Sequence, residues 1–248
     1  MQCALVVLAF GVAMLGIEKI FPGSFLGPVR GWYPRAIVFN VVQAAFAYLS
    51  TVTWDRWFPE LAVWHIGNVG TVAGALLGYF VVTFIFYWWH RARHEIPWLW
   101  RWVHQIHHSP SRLEVVTSFY KHPIEIAING VLTPAILHML LGLSAPSAAL
   151  AFLLTGIAEL FYHWNVRTPH WLGYLIQRPE SHRVHHQRGR HRNNYSDLPL
   201  WDMLFGTFEN PREATGPCGF GSEAELNVGP MLLARSAIPG RRQSSGSR

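Results

Sequence analysis

Charged side chains are scarce: Asp, Glu, Lys and Arg make up 14% of the 248 residues, against about 25% in ordinary soluble domains. Half of the residues are hydrophobic, and mean hydropathy is +0.16. A disordered chain needs the opposite balance, and a soluble globule of this length needs more charge, so the composition points to one membrane-embedded domain. Cysteine is scarcer still. Cys3 and Cys218 stand at opposite ends and cannot make a disulfide framework or a thiolate zinc site, so any metal must use other ligands. Acid is short as well, 14 Asp plus Glu against 20 Lys plus Arg, for a net charge of +6. The arginines interleave with histidines and apolar residues and form no separate basic module, which argues against nucleic acid as a partner.

What the chain has instead is long apolar runs. Residues 4–17, 36–53, 69–89, 126–143 and 147–161 approach the roughly 20 residues that cross a bilayer as a helix. The expected fold is therefore all-α, an integral membrane bundle of four to five helices with a histidine-rich helical cap. The first run lacks a basic n-region and a small-residue cleavage site and reads as a retained helix. The last two are short, separated by Gly-Leu-Ser-Ala-Pro, and read as a hairpin that need not cross fully; Asn129, His138 and Glu159 are polar for lipid-facing positions. Placing the end of the third run, at Trp89, on the cytoplasmic side leaves only Arg56 of the 20 basic residues outside. Trp88, Trp89, Trp98, Trp100 and Trp102 crowd that exit as an aromatic belt would. Residues 1–234 form the expected domain, and 235–248 an expected disordered basic tail.

Histidine is the chain's abundant polar residue: there are 14, and ten of them lie in the windows 90–122 and 182–191. His90 and His94, four apart on a helix continuing from the third run, share one face. His104-Gln-Ile-His107-His108 offsets its imidazoles by three and four, into one sector of a helix, and His182-Arg-Val-His185-His186 repeats the spacing. These eight exceed the roughly six ligands of one octahedral ion, so the pattern implies two ions. His163, at the cytoplasmic end of the last run, is the best ninth ligand. Imidazole suits zinc, copper, iron and nickel alike, and iron tolerates the larger count. His65 and His138 read as ordinary structural histidines, His170 and His191 as solvated loop residues.

In this order and spacing the histidines resemble the fatty acid hydroxylase superfamily, also called the sterol desaturase family. Its pattern is H-x-x-x-H, H-x-x-H-H, a lone histidine and a second H-x-x-H-H. Further matches are Lys121-His122-Pro123 with Glu125, His163-Trp164-Asn165, Arg178-Pro179-Glu180-Ser181-His182, Asn194-Tyr195, and the segment from Trp201-Asp202 to Thr207. The resemblance covers roughly residues 70–210. It implies a histidine-ligated di-iron enzyme that uses dioxygen and two external electrons to hydroxylate or desaturate a lipid, with His90, His94, His104, His107, His108, His163, His182, His185 and His186 as iron ligands. His122 would have a supporting or substrate-facing role.

Ligating imidazoles normally donate their second N–H to a carboxylate or carbonyl. Glu159, one turn before His163, is the first candidate acceptor, with Asn165, Glu180, Asn194 and Asp202 behind it. No electron-delivery domain is evident, so reductant is expected from a separate ferredoxin-like protein or a b-type cytochrome with its reductase. A bacterial inner membrane is the expected location. The competing readings are a haem protein, which would place histidines near mid-span, and a histidine-rich metal-binding or metal-transport protein, which would line a path with intramembrane carboxylates.

Overall fold

The computed structural model describes residues 2–213, 216–221 and 223–237. Most of the expected tail, from residue 238 onward, lies outside them. The described residues are helical and contain no strand, only an isolated bridge between Gln187 and Cys218. Five long helices carry the apolar runs: α1 (Gln2–Ile20), α2 (Trp32–Val52), α3 (Thr71–Glu95), α4 (Pro123–Pro134) and α5 (Ala145–His163). Trp32–Leu61, Thr71–Glu95, Pro123–Leu140 and Ala145–His163 are long and apolar enough to span a bilayer. The α4–α5 hairpin, expected to be short, is therefore of spanning length in both arms. Large apolar side chains such as Leu8, Val12, Val41 and Leu76 remain exposed on the outside of the bundle, as a lipid-facing surface requires.

Local signals fix the helix ends. His122 caps α4, its ring accepting from the Ile124 N–H at 3.0 Å, with Pro123 at the first position. Ser144 caps α5 by accepting from Ser147 N–H. Pro134 removes a donor within α4, and the ladder beyond it widens to a π-helix over Ala135–Leu140, with Leu141 N–H donating to Ile136 O at 3.0 Å. The helices alternate direction. The end of α1, the start of α2, the end of α3, the start of α4 and the end of α5 meet at one pole: Glu18 of α1 accepts from Val115 and Asn165 N–H, and Trp32 of α2 donates to Glu114. At the other pole Ser50 and Asp55 lie against the end of α4.

Beyond the bundle, a π-helical turn at Trp100–His104 and two short helices, α6 (Pro179–His185) and α7 (Pro199–Leu204), cap the first pole. Trp100 departs from the expected aromatic belt. It is buried and packs on His94 and His108, whereas Trp98 and Trp102 are 60% and 49% exposed.

Candidate metal centre

The cap brings the nine expected histidines into two groups that could each hold a metal ion. His90, His94, His104, His108 and His185 form the first, and His107, His163, His182 and His186 the second; one ring nitrogen from each residue of a group lies within 4.8 Å of those of the others. Each H-x-x-H-H segment is divided between the groups, where one shared sector was expected. The reason is helical geometry: i and i+4 are about 40° apart, while i+3 is about 100° from i+4 on the other side. Thus His104 and His108 serve the first group and His107 the second, while His182 and His186 serve the second and His185 the first. The groups touch through the stacked rings of His108 and His186, with centroids 4.1 Å apart.

The orientation of the rings is set from behind. Nδ1–H of His90 donates to Tyr195 O, that of His94 to His191 O and that of His185 to Asn193 O, each at 2.7 Å. His163 donates to Glu159 O at 2.8 Å and His107 to Tyr120 O at 3.4 Å. His104 Nδ1 lies 3.1 Å from the buried carboxylate of Glu125, which Arg93 also engages. His182 Nδ1 lies 2.6 Å from the Gln177 amide. Because a carbonyl or carboxylate only accepts, the contacts of His90, His94, His104, His107, His163 and His185 place the proton on Nδ1 and leave the Nε2 lone pair facing inward, whereas the Gln177 amide N–H donates to His182 Nδ1.

Those inward nitrogens are crowded. His90 Nε2 and His104 Nε2 are 3.0 Å apart, and His107 Nε2 and His163 Nε2 are 3.3 Å apart. In each pair both atoms carry lone pairs, so neither contact is a hydrogen bond. His94 Nε2 and His185 Nε2 are buried without a partner. Nitrogens held about 2.1 Å from one cation at right angles lie about 3 Å apart, so the donor set fits a metal ion in each group. Burial also keeps the ligands in the form a metal needs. It holds His104, His107, His108, His182 and His186 well below the ordinary 6.5 and His185 at about 3.

The supporting residues differ from those expected. Glu159 serves His163 through its backbone carbonyl, one helical turn back, while its carboxylate pairs with Lys121. The Asn165 side chain bonds the backbone N–H and carbonyl of Ser24, in the loop after α1. Glu180 holds Thr168 and pairs with Arg178 at 3.0 Å. His122 has both ring nitrogens on backbone groups, Ile124 N–H and Leu232 O. None of these three side chains reaches a histidine of either group in the described contacts. Asp202 and Asn194 act one step further out: Asp202 accepts from Tyr195 and Ser196 N–H, fixing the carbonyl that holds His90, and Asn194 bonds Ser181 and Glu209.

His191 is no solvated loop histidine. Its carbonyl orients His94, and its ring packs on Trp100 and Phe220. His191, Asn193 and Asn194 have φ of 44°, 70° and 50°, a left-handed conformation that aims the carbonyls of these three residues at His94, His185 and Gln177. Glu125 and Gln177 carried no assigned role from sequence. Glu125 could have been found, since it is a carboxylate three residues after His122 in an otherwise apolar run.

A cavity of about 560 Å³ runs from the histidines into the bundle. His90, His104, His107 and His182 line its inner end together with several ionisable side chains, and mainly apolar residues of the five long helices line the rest. It can hold a small part of a lipid against the centre, sheltered from water.

Comparison with known proteins gives the family. A family model described as fatty acid hydroxylase matches residues 75–207, more than half of the chain and all nine histidines. The ornithine lipid hydroxylase OlsE of Rhizobium tropici is 33% identical over 222 residues, covering 87% of this chain and 62% of that protein. Human alkylglycerol monooxygenase is 34% identical over 140 residues, 53% of this chain and 30% of its own length. The Delta(7)-sterol-C5(6)-desaturase of Nicotiana tabacum is 25% identical over 171 residues, 67% and 60% of the two chains. The chain thus spans less than two thirds of the length of these relatives. No solved structure gives a significant match.

Proposed function

Because this chain belongs to the fatty acid hydroxylase family, we propose that it is a membrane oxygenase that hydroxylates or desaturates a lipid at a centre of two iron ions. One observation supports the two-ion reading above others: nine imidazoles converge in two adjacent groups, with inward nitrogens about 3 Å apart. His90, His94, His104, His108 and His185 would hold one ion, and His107, His163, His182 and His186 the other. Bound iron would supply the activation of dioxygen and the removal of hydrogen from an alkyl carbon. For hydroxylation the balance is lipid C–H plus dioxygen, two electrons and two protons, giving alcohol and water.

The chain's own residues do the rest. The backbone carbonyls of residues 120, 159, 191, 193 and 195 hold the imidazoles in one tautomer, and Glu125 does the same for His104. The cavity positions the lipid with its reacting carbon beside His90, His104, His107 and His182, and its apolar wall excludes water. Electrons would come from a separate ferredoxin-like or b-type cytochrome partner. The basic residues at the histidine pole favour a cytoplasmic orientation, and the similarity to a bacterial lipid hydroxylase supports a bacterial inner membrane.

The test is iron per chain with Mössbauer spectra, on protein extracted in mild detergent from iron-supplemented cells. Two coupled irons are expected, and the variant with both His107→Ala and His108→Ala, one ligand from each group, should lose them. Chain that takes up no iron even on anaerobic ferrous reconstitution, or that takes only zinc, would overturn the oxygenase reading.

A further inference from the structure

The cavity changes character along its length. Between the spans its wall is mainly apolar, with polar residues such as Asn40, Gln43 and Asn129 among them, and on α1 and α2 several wall residues are strongly exposed: Leu8 and Val12 are each 63% exposed, Ile37 57% and Val41 61%. The cavity therefore opens toward lipid between α1 and α2. At the histidine end it is lined by ionisable side chains. Arg93 and Glu125 are used there by His104. Lys121, Glu159, Tyr162 and Asp197 also line it and touch no ring nitrogen of either histidine group in the described contacts.

These four residues form two pairs. Lys121 bonds one carboxylate oxygen of Glu159, whose side chain keeps 20% of its surface open inside the bundle. The Tyr162 hydroxyl lies beside Asp197. Charged groups facing a mainly apolar cavity within a bilayer are costly unless something polar meets them. An acyl chain lying against Glu159 and Asp197 would strip water from two carboxylates and return no donor. Both lie close to the histidines: Glu159 is one turn before His163, Tyr162 sits against His182 with ring centroids 4.4 Å apart, and Asp197 is two residues after Tyr195, whose carbonyl holds His90.

We propose that this polar end is a head-group site: it takes a lipid whose head carries a hydroxyl or ammonium donor, seats the donor on the Glu159 and Asp197 carboxylates, and so presents to the histidines a carbon within a few bonds of the head. The substrate class narrows accordingly, from lipids in general to those oxidised in or next to a donor-bearing head group. The assignment rests on the lipid reading above for the kind of guest, and on no property of a bound metal. Lys121 holds the Glu159 carboxylate in place, which makes it a positioning residue.

The experiment is competitive native mass spectrometry on the full-length, metal-free chain in detergent. Four lipids with one identical acyl chain are offered in pairs: a free amine against its trimethylated form, which keeps the charge but has no donor, and a free hydroxyl against its methyl ether. The expected result is about a tenfold preference for the free donor in at least one pair, and that pair identifies the donor as amine or hydroxyl. In the Glu159→Gln, Asp197→Asn double variant the preference should fall to about twofold or less. Equal binding within both wild-type pairs, or an undiminished preference in the variant, would overturn the head-group site; the wild-type comparison stands even if the variant does not fold. Iron content is measured separately. A preference without iron would refute the oxygenase and leave this site standing, and iron without a preference would do the reverse.

Discussion

At the scale of single residues, the site depends on who holds the second nitrogen of each imidazole. Glu125, buried in α4, receives both His104 and Arg93. Changing Glu125 to Ala leaves a guanidinium and an imidazole without their acceptor, and metal affinity should fall about 10- to 100-fold, read by anaerobic ferrous titration. Glu159→Gln should leave it unchanged, because His163 uses the carbonyl of residue 159 and not the carboxylate. The same burial sets a pH dependence. His185 is held at about 3, and its cap neighbours well below 6.5, whereas in an unfolded chain each titrates near 6.5. The unfolded state therefore binds more protons below that pH. The histidines' contribution is fully present above about pH 6.5 and is lost as pH falls toward the folded values, each adding a slope of about 1.4 kcal/mol per pH unit. The melting temperature of the metal-free chain should drop between pH 7.5 and 5.5, and a flat profile over that range would contradict the buried neutral imidazoles.

At the scale of elements, the spans approach closely because small residues face each other. Gly78 of α3 is buried where Leu137, Leu143 and Ala151 converge, and a Cβ there would lie 2.8 Å from the Leu143 side chain. In lipid, where apolar burial gives little drive between helices, such contacts carry the packing. Gly78→Val should lower stability by about 1–3 kcal/mol through overpacking, followed by thermal melting in detergent, whereas Gly16→Ala on α1, with nothing within 4 Å of its added carbon, should not. The loop from His191 to Asn194 is the matching device in the cap. Its left-handed residues cost backbone strain, and the structure retains them because three of its carbonyls orient the site.

At the scale of the whole molecule, five alternating helices put every histidine of the two groups at one pole and Arg56 at the other. If the basic pole is cytoplasmic, a cysteine at the exposed Arg56 position should react with an impermeant maleimide in intact bacterial cells, and one at the exposed Arg101 position only after permeabilisation. Cys218 is buried and should stay silent in both. Reversed labelling would invert the orientation and place the electron donor on the other side of the membrane. The cavity opening between α1 and α2 belongs to this scale as well, since it exists only where two helices distant from the histidine segments stand apart.

The sequence by itself determined the helices and the identity of the nine histidines, because apolar runs of spanning length and i, i+4 pairs are local patterns that a helix must obey. It could not settle how the histidines divide. The split of each H-x-x-H-H segment depends on where α5 and α6 deliver His163, His182, His185 and His186 against His104, His107 and His108, a matter of tertiary packing. Most supporting partners were hidden for a related reason: they are backbone carbonyls, which every residue has, and only the fold selects those of residues 120, 159, 191, 193 and 195. Side-chain chemistry singled out Glu159 from sequence, yet helix geometry gave His163 the nearer carbonyl and turned the carboxylate toward Lys121 and the cavity. Ligand type is written in residues, whereas their grouping, orientation and access to lipid come from packing.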